Sequence, residues 1–191
     1  AARAAAVAAE AGSDDPAKAQ LSTTVTYINA DDAWARGFTG QGQAIAILDD
    51  GIERTHEMFA GKIVAEACYS TTQNNDVALC PGGSTAAVGI GASSNCGAGP
   101  DVCAHGSHVA GIAAGNDTQG ATTLRGVAYG ANLVPVQVFT LSNSQTACDN
   151  AAPCLIAYSS AVLSGLNFAI SQAPATNLAA VNLSLGGSTV T

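Results

Sequence analysis

Apolar positions along this chain come mostly in short uncharged runs rather than in alternation. Ala44-Ile45-Ala46-Ile47-Leu48 is broken by no polar residue and stops at Asp49-Asp50-Gly51. A run of strand length closed by a turn glycine predicts a strand buried on both faces. Lys62–Cys68, Leu133–Phe139 and Leu178–Leu185 predict three more strands, although Pro135 removes one ladder donor. Between them the spacing turns helical. Leu155, Tyr158, Val162, Leu166 and Ile170 recur at intervals of three and four, which predicts an amphipathic helix over Leu155–Gln172. Ala30–Arg36, closed by Gly37, predicts a short helix with Asp31 and Asp32 at its electropositive start. His105–Gly115 predicts a compact helix whose small residues (Ala110, Gly111, Ala113, Ala114) admit neighbouring backbone closely. Uncharged strands alternating with helices imply an α/β fold: a parallel sheet with helices on both faces.

Two stretches stand outside this pattern. Residues 1–24 are Ala-rich and low in complexity, too polar and too poor in large apolar residues for a secretory signal. They are expected to be a tail or the remnant of a removed upstream segment, which leaves residues 25–191 as one domain-sized unit. The second stretch, from Tyr69 to Cys103, has turn composition throughout. A segment of that length without regular structure is expected to be functional or covalently stapled.

Composition then narrows the partners. Hydrophobic types make up 48% of the 191 residues and charged types 10%, which excludes a disordered, highly solvated chain. Six Lys+Arg against fourteen Asp+Glu give a net charge of −8. The clustered cations that bind phosphate are missing, so neither a nucleic acid nor an anionic membrane is expected as a partner. No apolar run approaches the roughly 20 residues of a membrane-spanning helix.

Six cysteines (Cys68, Cys80, Cys96, Cys103, Cys148 and Cys154) include no C-x-x-C pair, so zinc-ribbon and thioredoxin readings fail. Their connectivity is open. Three nearest-neighbour pairs would each close a short loop within Gly/Ser/Asn-rich sequence and contribute roughly 2–3 kcal/mol on the chain-entropy account. Free thiols are the alternative. Disulfides are favoured, and with them an exported protein, secreted or periplasmic.

The candidate chemistry starts at Asp49. In an open parallel sheet, functional groups gather beyond the carboxyl ends of the strands, and Asp49 directly follows a buried run. Alone it would read as a turn or capping carboxylate. His105, at the mouth of a small-residue helix, alone would read as a satisfied structural histidine. Together they suggest an orienter and a base: the carboxylate fixes one ring nitrogen and leaves the other free to take a proton. His105 and His108 could hold a metal with His56, but no H-E-x-x-H pattern and no fourth ligand accompany them. Gly40-Gln41-Gly42 precedes its strand and lacks a third glycine, so it is no dinucleotide loop.

These residues amount to a resemblance. Ala46-Ile47-Leu48-Asp49-Asp50-Gly51-Ile52 resembles the aspartate motif of subtilisin-like serine proteases, and His105–Gly111 resembles their histidine motif. Asn182-Leu183-Ser184-Leu185-Gly186-Gly187 is similar to the family's substrate-binding strand end, and Gly126-Val127-Ala128 fits the same order. The resemblance runs from about Asn29 to Gly187. It implies that Asp49 orients His105 and that His105 is general base and then general acid in acyl transfer. It also implies that Leu183, Ser184, Leu185, Gly186 and Gly187 offer backbone to an extended peptide or protein substrate. The loop holding Cys148 and Cys154 would border the cleft.

The departures are specific. Asp50 stands where the family usually has Thr or Ser, and Ser107 replaces a Thr. No cofactor is required for the implied chemistry; a structural calcium is compatible with the family, but Met58 stands where many relatives carry its Asp. The family's nucleophilic Ser, in a G-T-S-M-A motif, and its oxyanion Asn both come later than the last strand here, and no G-x-S-x-G frames another candidate. The expectation is therefore the N-terminal portion of a secreted serine endopeptidase domain whose sheet is incomplete at its C-terminal side. A companion chain or C-terminal remainder would bring the nucleophile. The alternative is a non-catalytic fragment or peptide-binding module without one.

Overall fold

The computed structural model describes residues 16–96, 103–117 and 124–186. In chain order the elements are α1 (Pro16–Tyr27), α2 (Ala30–Ala35), β1 (Ala44–Asp49), β2 (Ala67–Tyr69), β3 (Val77–Ala78), β4 (Ala86–Val88), α3 (His105–Ala114), β5 (Asn116–Asp117), β6 (Leu124–Arg125), β7 (Asn132–Gln137), β8 (Phe139–Ser142), β9 (Cys154–Ala157), α4 (Ser159–Thr176) and β10 (Leu178–Asn182). The main sheet runs β10-β1-β7-β2-β4, parallel throughout except for β4 at one edge. A second, antiparallel sheet joins β3, β8 and β9.

Strand alternation divides the core into two layers. Ala44, Ala46 and Leu48 of β1, with Val134 and Val136 of β7, face α4 and pack with Ala161, Phe168 and Ala169. Ile47 and Leu133 point the other way and meet Ala110 and Ala114 of α3. The uncharged runs are thus strands covered on both faces, as their composition implies. Gly165 lets α4 lie close to the sheet, because a Cβ there would sit 2.9 Å from Val138 Cγ1 and 3.2 Å from Leu48 Cδ2. The predicted α/β architecture is present.

Several boundaries differ from expectation. The helix predicted from Leu155 begins at Ser159, and Cys154–Ala157 instead pairs antiparallel with β8, from Ser142 opposite Cys154 to Phe139 opposite Ala157. Leu155 and Ile156 are buried by that pairing, so the spacing from Leu155 to Tyr158 imitates a helical turn by coincidence. The helix then runs past Gln172, through Pro174, to Thr176. The strand predicted over Lys62–Cys68 is regular only from Ala67. Before it, Ile63 makes one bridge to Leu133, while Lys62 Nζ donates to the Tyr129 carbonyl at 2.7 Å and Glu66 accepts from Arg54 at 3.2 Å and Ser93 Oγ at 3.0 Å. The segment's backbone meets β7 there around Leu133, through Leu133 N–H to Lys62 O at 2.8 Å and Val64 N–H to Leu133 O at 3.0 Å, and the ladder resumes at Ala67 opposite Val136. Leu133–Phe139 is divided between β7 and β8, which belong to different sheets. The final strand stops at Asn182 rather than Leu185.

Residues 16–27 form a helix that begins inside the stretch set apart as a tail, runs three residues beyond it and packs against α2 and β6 with Val25 buried. The segment after Tyr69 contains β3 and β4 and is stapled. Cys68–Cys80, Cys96–Cys103 and Cys148–Cys154 are joined, closing sequence separations of 12, 7 and 6 residues. Among the described residues no helix is long and apolar enough to cross a membrane.

Candidate active site

β1 lies between β10 and β7, so its carboxyl end opens at the middle of the parallel strands. Asp49 occupies that end and is 1% exposed. The chain turns sharply after it. Gly51 has φ +110°, and a Cβ there would lie 2.8 Å from both Asn95 Cα and Ser94 O, so only glycine fits. The 93–95 segment holds this turn through Ile52 N–H to Ser93 O at 2.9 Å and Asn95 N–H to Ile52 O at 3.1 Å.

α3 brings the imidazole onto the turn from the other side. His105 is its first residue, and Nδ1 lies 2.8 Å from Asp49 Oδ1 and 3.0 Å from Oδ2. An ionised carboxylate only accepts, so Nδ1 carries the proton and Nε2 keeps its lone pair. The His105 side chain is 28% exposed, which leaves the ring reachable from solvent. Gly106 permits the approach: a Cβ there would fall 2.2 Å from Gly51 O and 3.0 Å from Asp49 Cβ. Ser107 Oγ accepts from Glu53 N–H at 2.8 Å and ties the same helical turn to the loop after β1. Hydrogen bonds from Thr55 and Asn95 hold the Glu53 carboxyl below its ordinary range. The far end of α3 is fixed as well. Val127 and Ala128 N–H donate to the otherwise free carbonyls of Ile112 and Ala113 at 2.9 and 2.8 Å, which gives the Gly126-Val127-Ala128 segment a structural role.

Asp50 is the residue whose role was not foreseen. It is 1% exposed, and its carboxylate accepts from the backbone N–H of Gly106 at 2.7 Å and of His105 at 3.2 Å. Its own N–H donates to Asp49 Oδ1 at 2.8 Å. Burial pushes its carboxyl up to about 6; the Gly106 bond opposes this and the neighbouring Asp49 charge adds to it. The signal in sequence was the Asp49-Asp50 doublet, which reads only as extra charge until α3 is placed above it.

The other candidates fall as follows. Leu183–Gly186 continues from β10 without regular structure, with Leu183 exposed and Leu185 packed against the α4-side core. Ser184 Oγ donates to Asn182 Oδ1 at 2.9 Å. A Cβ on Gly186 would meet open space; Gly187 lies outside the described residues. His56 caps a short 3-10 turn, its Nδ1 accepting from Met58 N–H at 3.2 Å, and His108 is exposed. Met58 packs with the apolar layer beneath α3. Among the described residues no three His, Cys, Asp or Glu side chains converge as metal ligands. A cleft of 960 Å³ lined by Trp34, Gln41, Lys62, Tyr129 and Gly130 lies at the amino ends of β1 and β7, away from Asp49.

A parallel α/β sheet that delivers an Asp–His pair at its carboxyl edge defines a scaffold suited to acid–base chemistry. The subtilase family model matches residues 40–190, and the chain belongs to that family. It is 30% identical over 135 residues to the minor extracellular protease Vpr of Bacillus subtilis, which covers 70% of this chain and 14% of that protein. The major intracellular serine protease of Bacillus subtilis is 26% identical over 168 residues, covering 88% of this chain and 41% of its own length. The chain therefore spans well under half of these relatives. A solved protease from Pseudoalteromonas arctica PAMC 21717 shares the fold with a TM-score of 0.56 and 24% identity, over 83% of this chain and 44% of that one.

Proposed function

We propose that this chain forms the Asp- and His-bearing part of a serine endopeptidase, with Asp49 as orienter and His105 as base. The observation that carries the reading is the Nδ1 contact of His105 with both carboxylate oxygens of Asp49, at 2.8 and 3.0 Å. It leaves Nε2 as the proton acceptor of an imidazole held in one tautomer. In this reading Nε2 takes the proton of a serine hydroxyl as it attacks the peptide carbonyl, then returns it to the leaving amine, and a water hydrolyses the acyl-enzyme. The serine comes from polypeptide outside this chain, either a C-terminal remainder or a companion chain. The exposed Ala179, Ala180 and Val181 of β10, an edge strand here, favour a further element beside it.

Leu183–Gly187 is proposed to pair with the backbone of an extended peptide or protein substrate, the open space at Gly186 supporting close approach. The three disulfides favour a secreted or periplasmic setting. The experiment labels the native protein with a serine-directed fluorophosphonate, denatures it and weighs every polypeptide by mass spectrometry. Labelling on a serine outside residues 1–191, lost in His105→Ala, is expected. Native protein with no labelled polypeptide would overturn the reading.

A further inference from the structure

Asp50 is a buried carboxylate to which acyl transfer assigns no step. Burying an acid is costly unless its oxygens are engaged, and both are. Oδ1 accepts from Gly106 N–H at 2.7 Å and Oδ2 from His105 N–H at 3.2 Å. These two N–H groups belong to the first turn of α3, where no intrahelical acceptor exists. A helix ordinarily meets that need with the side chain of its own N-cap residue, but here that residue is Ala104, which offers none. The acceptor arrives instead from a turn 55 positions earlier in the chain. Asp50 N–H in turn donates to Asp49 Oδ1, the oxygen that also receives His105 Nδ1, each at 2.8 Å. The contacts close a ring: Asp49 carboxylate, His105 imidazole, His105 backbone, Asp50 carboxylate, Asp50 backbone.

We propose that Asp50 is a positioning residue whose carboxylate, by holding the backbone N–H groups of His105 and Gly106, fixes the start of α3 and so keeps the His105 imidazole on Asp49. The inference rests on the reading of Asp49 and His105 as the catalytic pair. A shift of about 1 Å in a reacting group can cost about 100-fold in rate, and the Nδ1 contact has little slack before it ceases to be a hydrogen bond. Charge enters because a carboxylate offers two accepting oxygens, whereas its protonated form turns one of them into a donor facing an N–H. With the carboxyl pushed up to about 6 by burial, that change falls within an ordinary assay range. The charged or titratable groups that bear on Asp50 are Asp49 at the same strand end and His105 on α3; the segment against Gly51 brings Ser93, Ser94 and Asn95, which do not titrate.

The test compares Asp50→Asn and Asp50→Ala with His105→Ala in the active protein that contains this chain. We expect kcat to fall about tenfold in Asp50→Asn and about 100-fold in Asp50→Ala, with KM within about twofold of wild type. Below about pH 6 the wild-type log(kcat/KM) should fall with a steeper slope than that of Asp50→Asn, which has no carboxyl to protonate at position 50. The downfield NMR resonance of the His105 Nδ1 proton should move in Asp50→Ala. An unchanged kcat and slope in Asp50→Asn would overturn the proposal, as would a raised KM at intact kcat. Should Asp50→Ala fail to melt cooperatively, the near-isosteric Asp50→Asn carries the test through kcat, slope and the same resonance. If His105→Ala retains activity, the catalytic reading falls instead, and an unmoved resonance in the folded Asp50 variants would then overturn the positioning role by itself.

Discussion

Gly106 sits so close to Gly51 that a Cβ on the first would lie 2.2 Å from the carbonyl oxygen of the second. The start of α3 and the turn after β1 are therefore in backbone contact, and the Asp49–His105 pair spans that contact. Gly106→Ala must push the helix off the turn, since the obstructing atom is backbone and has no rotamer to change. We expect a loss of about 2–4 kcal/mol in stability, or loss of the Nδ1 contact where the helix yields instead. Chemical denaturation and the His105 Nδ1 proton resonance read the two effects separately; a variant with wild-type values of both would contradict the placement of α3.

Gly165 sets two opposed effects against each other. Replacing it with Ala gains up to about 1 kcal/mol of helix propensity in α4. It also drives a methyl to 2.9 Å from Val138 Cγ1 and 3.2 Å from Val136 Cγ1, in a layer where both valines are fully buried. Overpacking of this kind costs about 1–3 kcal/mol and should win. A lowered midpoint in urea with unchanged slope is the expected result, and a raised midpoint would show that α4 stands further from the sheet.

The stability of the fold should depend on pH through Asp50. Its carboxyl is raised from an ordinary 3.8 to about 6 in the folded protein, so the folded state holds the proton more tightly than the unfolded state. That contribution is fully present below pH 3.8 and is lost as pH rises through about 6. Asp50→Asn cannot ionise and escapes the loss. The unfolding free energy of Asp50→Asn relative to wild type should therefore grow by about 2 kcal/mol between pH 4 and 7. A difference that stays flat with pH would mean that Asp50 ionises in the folded protein as freely as in solution.

Reduction should destabilise the protein, because all three disulfides close loops. The Cys68–Cys80 loop spans 12 positions and the other two 7 and 6, each worth roughly 2–3 kcal/mol on the chain-entropy account. Cys68 lies on β2, so its loss touches the main sheet, whereas Cys148–Cys154 anchors β9 of the smaller one. Melting in reductant should fall well below that of the oxidised protein; coincident melting curves would count against the pairings.

What could be read from the sequence is what short-range pattern determines. β1 was legible because five apolar residues end in a turn, and α3 because its small residues begin at a histidine. Leu155–Ala157 was misread because Leu155 and Tyr158 are three apart, a spacing that fits one helical turn, while the pairing with β8 that decides the matter depends on residues 139–142. Lys62–Glu66 was misread for a related reason, since how much of it joins the sheet is decided by its pairing with β7, far along the chain. Asp49 and His105 could be paired because a carboxylate at a strand end and a histidine at the mouth of a small-residue helix suit one another, and the motif order agreed with that reading. Asp50 could not be read, since its partners are backbone groups that exist as free donors only once α3 has formed.

Fifty-six positions of chain separate Asp49 from His105, and nothing local holds them together. Their contact exists only when the sheet has its strands in order and α3 has docked across it. In a nascent or half-folded chain the imidazole is an ordinary histidine with no fixed tautomer. The pair thus acts as a checkpoint of assembly: the oriented ring nitrogen is withheld until α3 has docked on the sheet and is surrendered whenever that docking is lost.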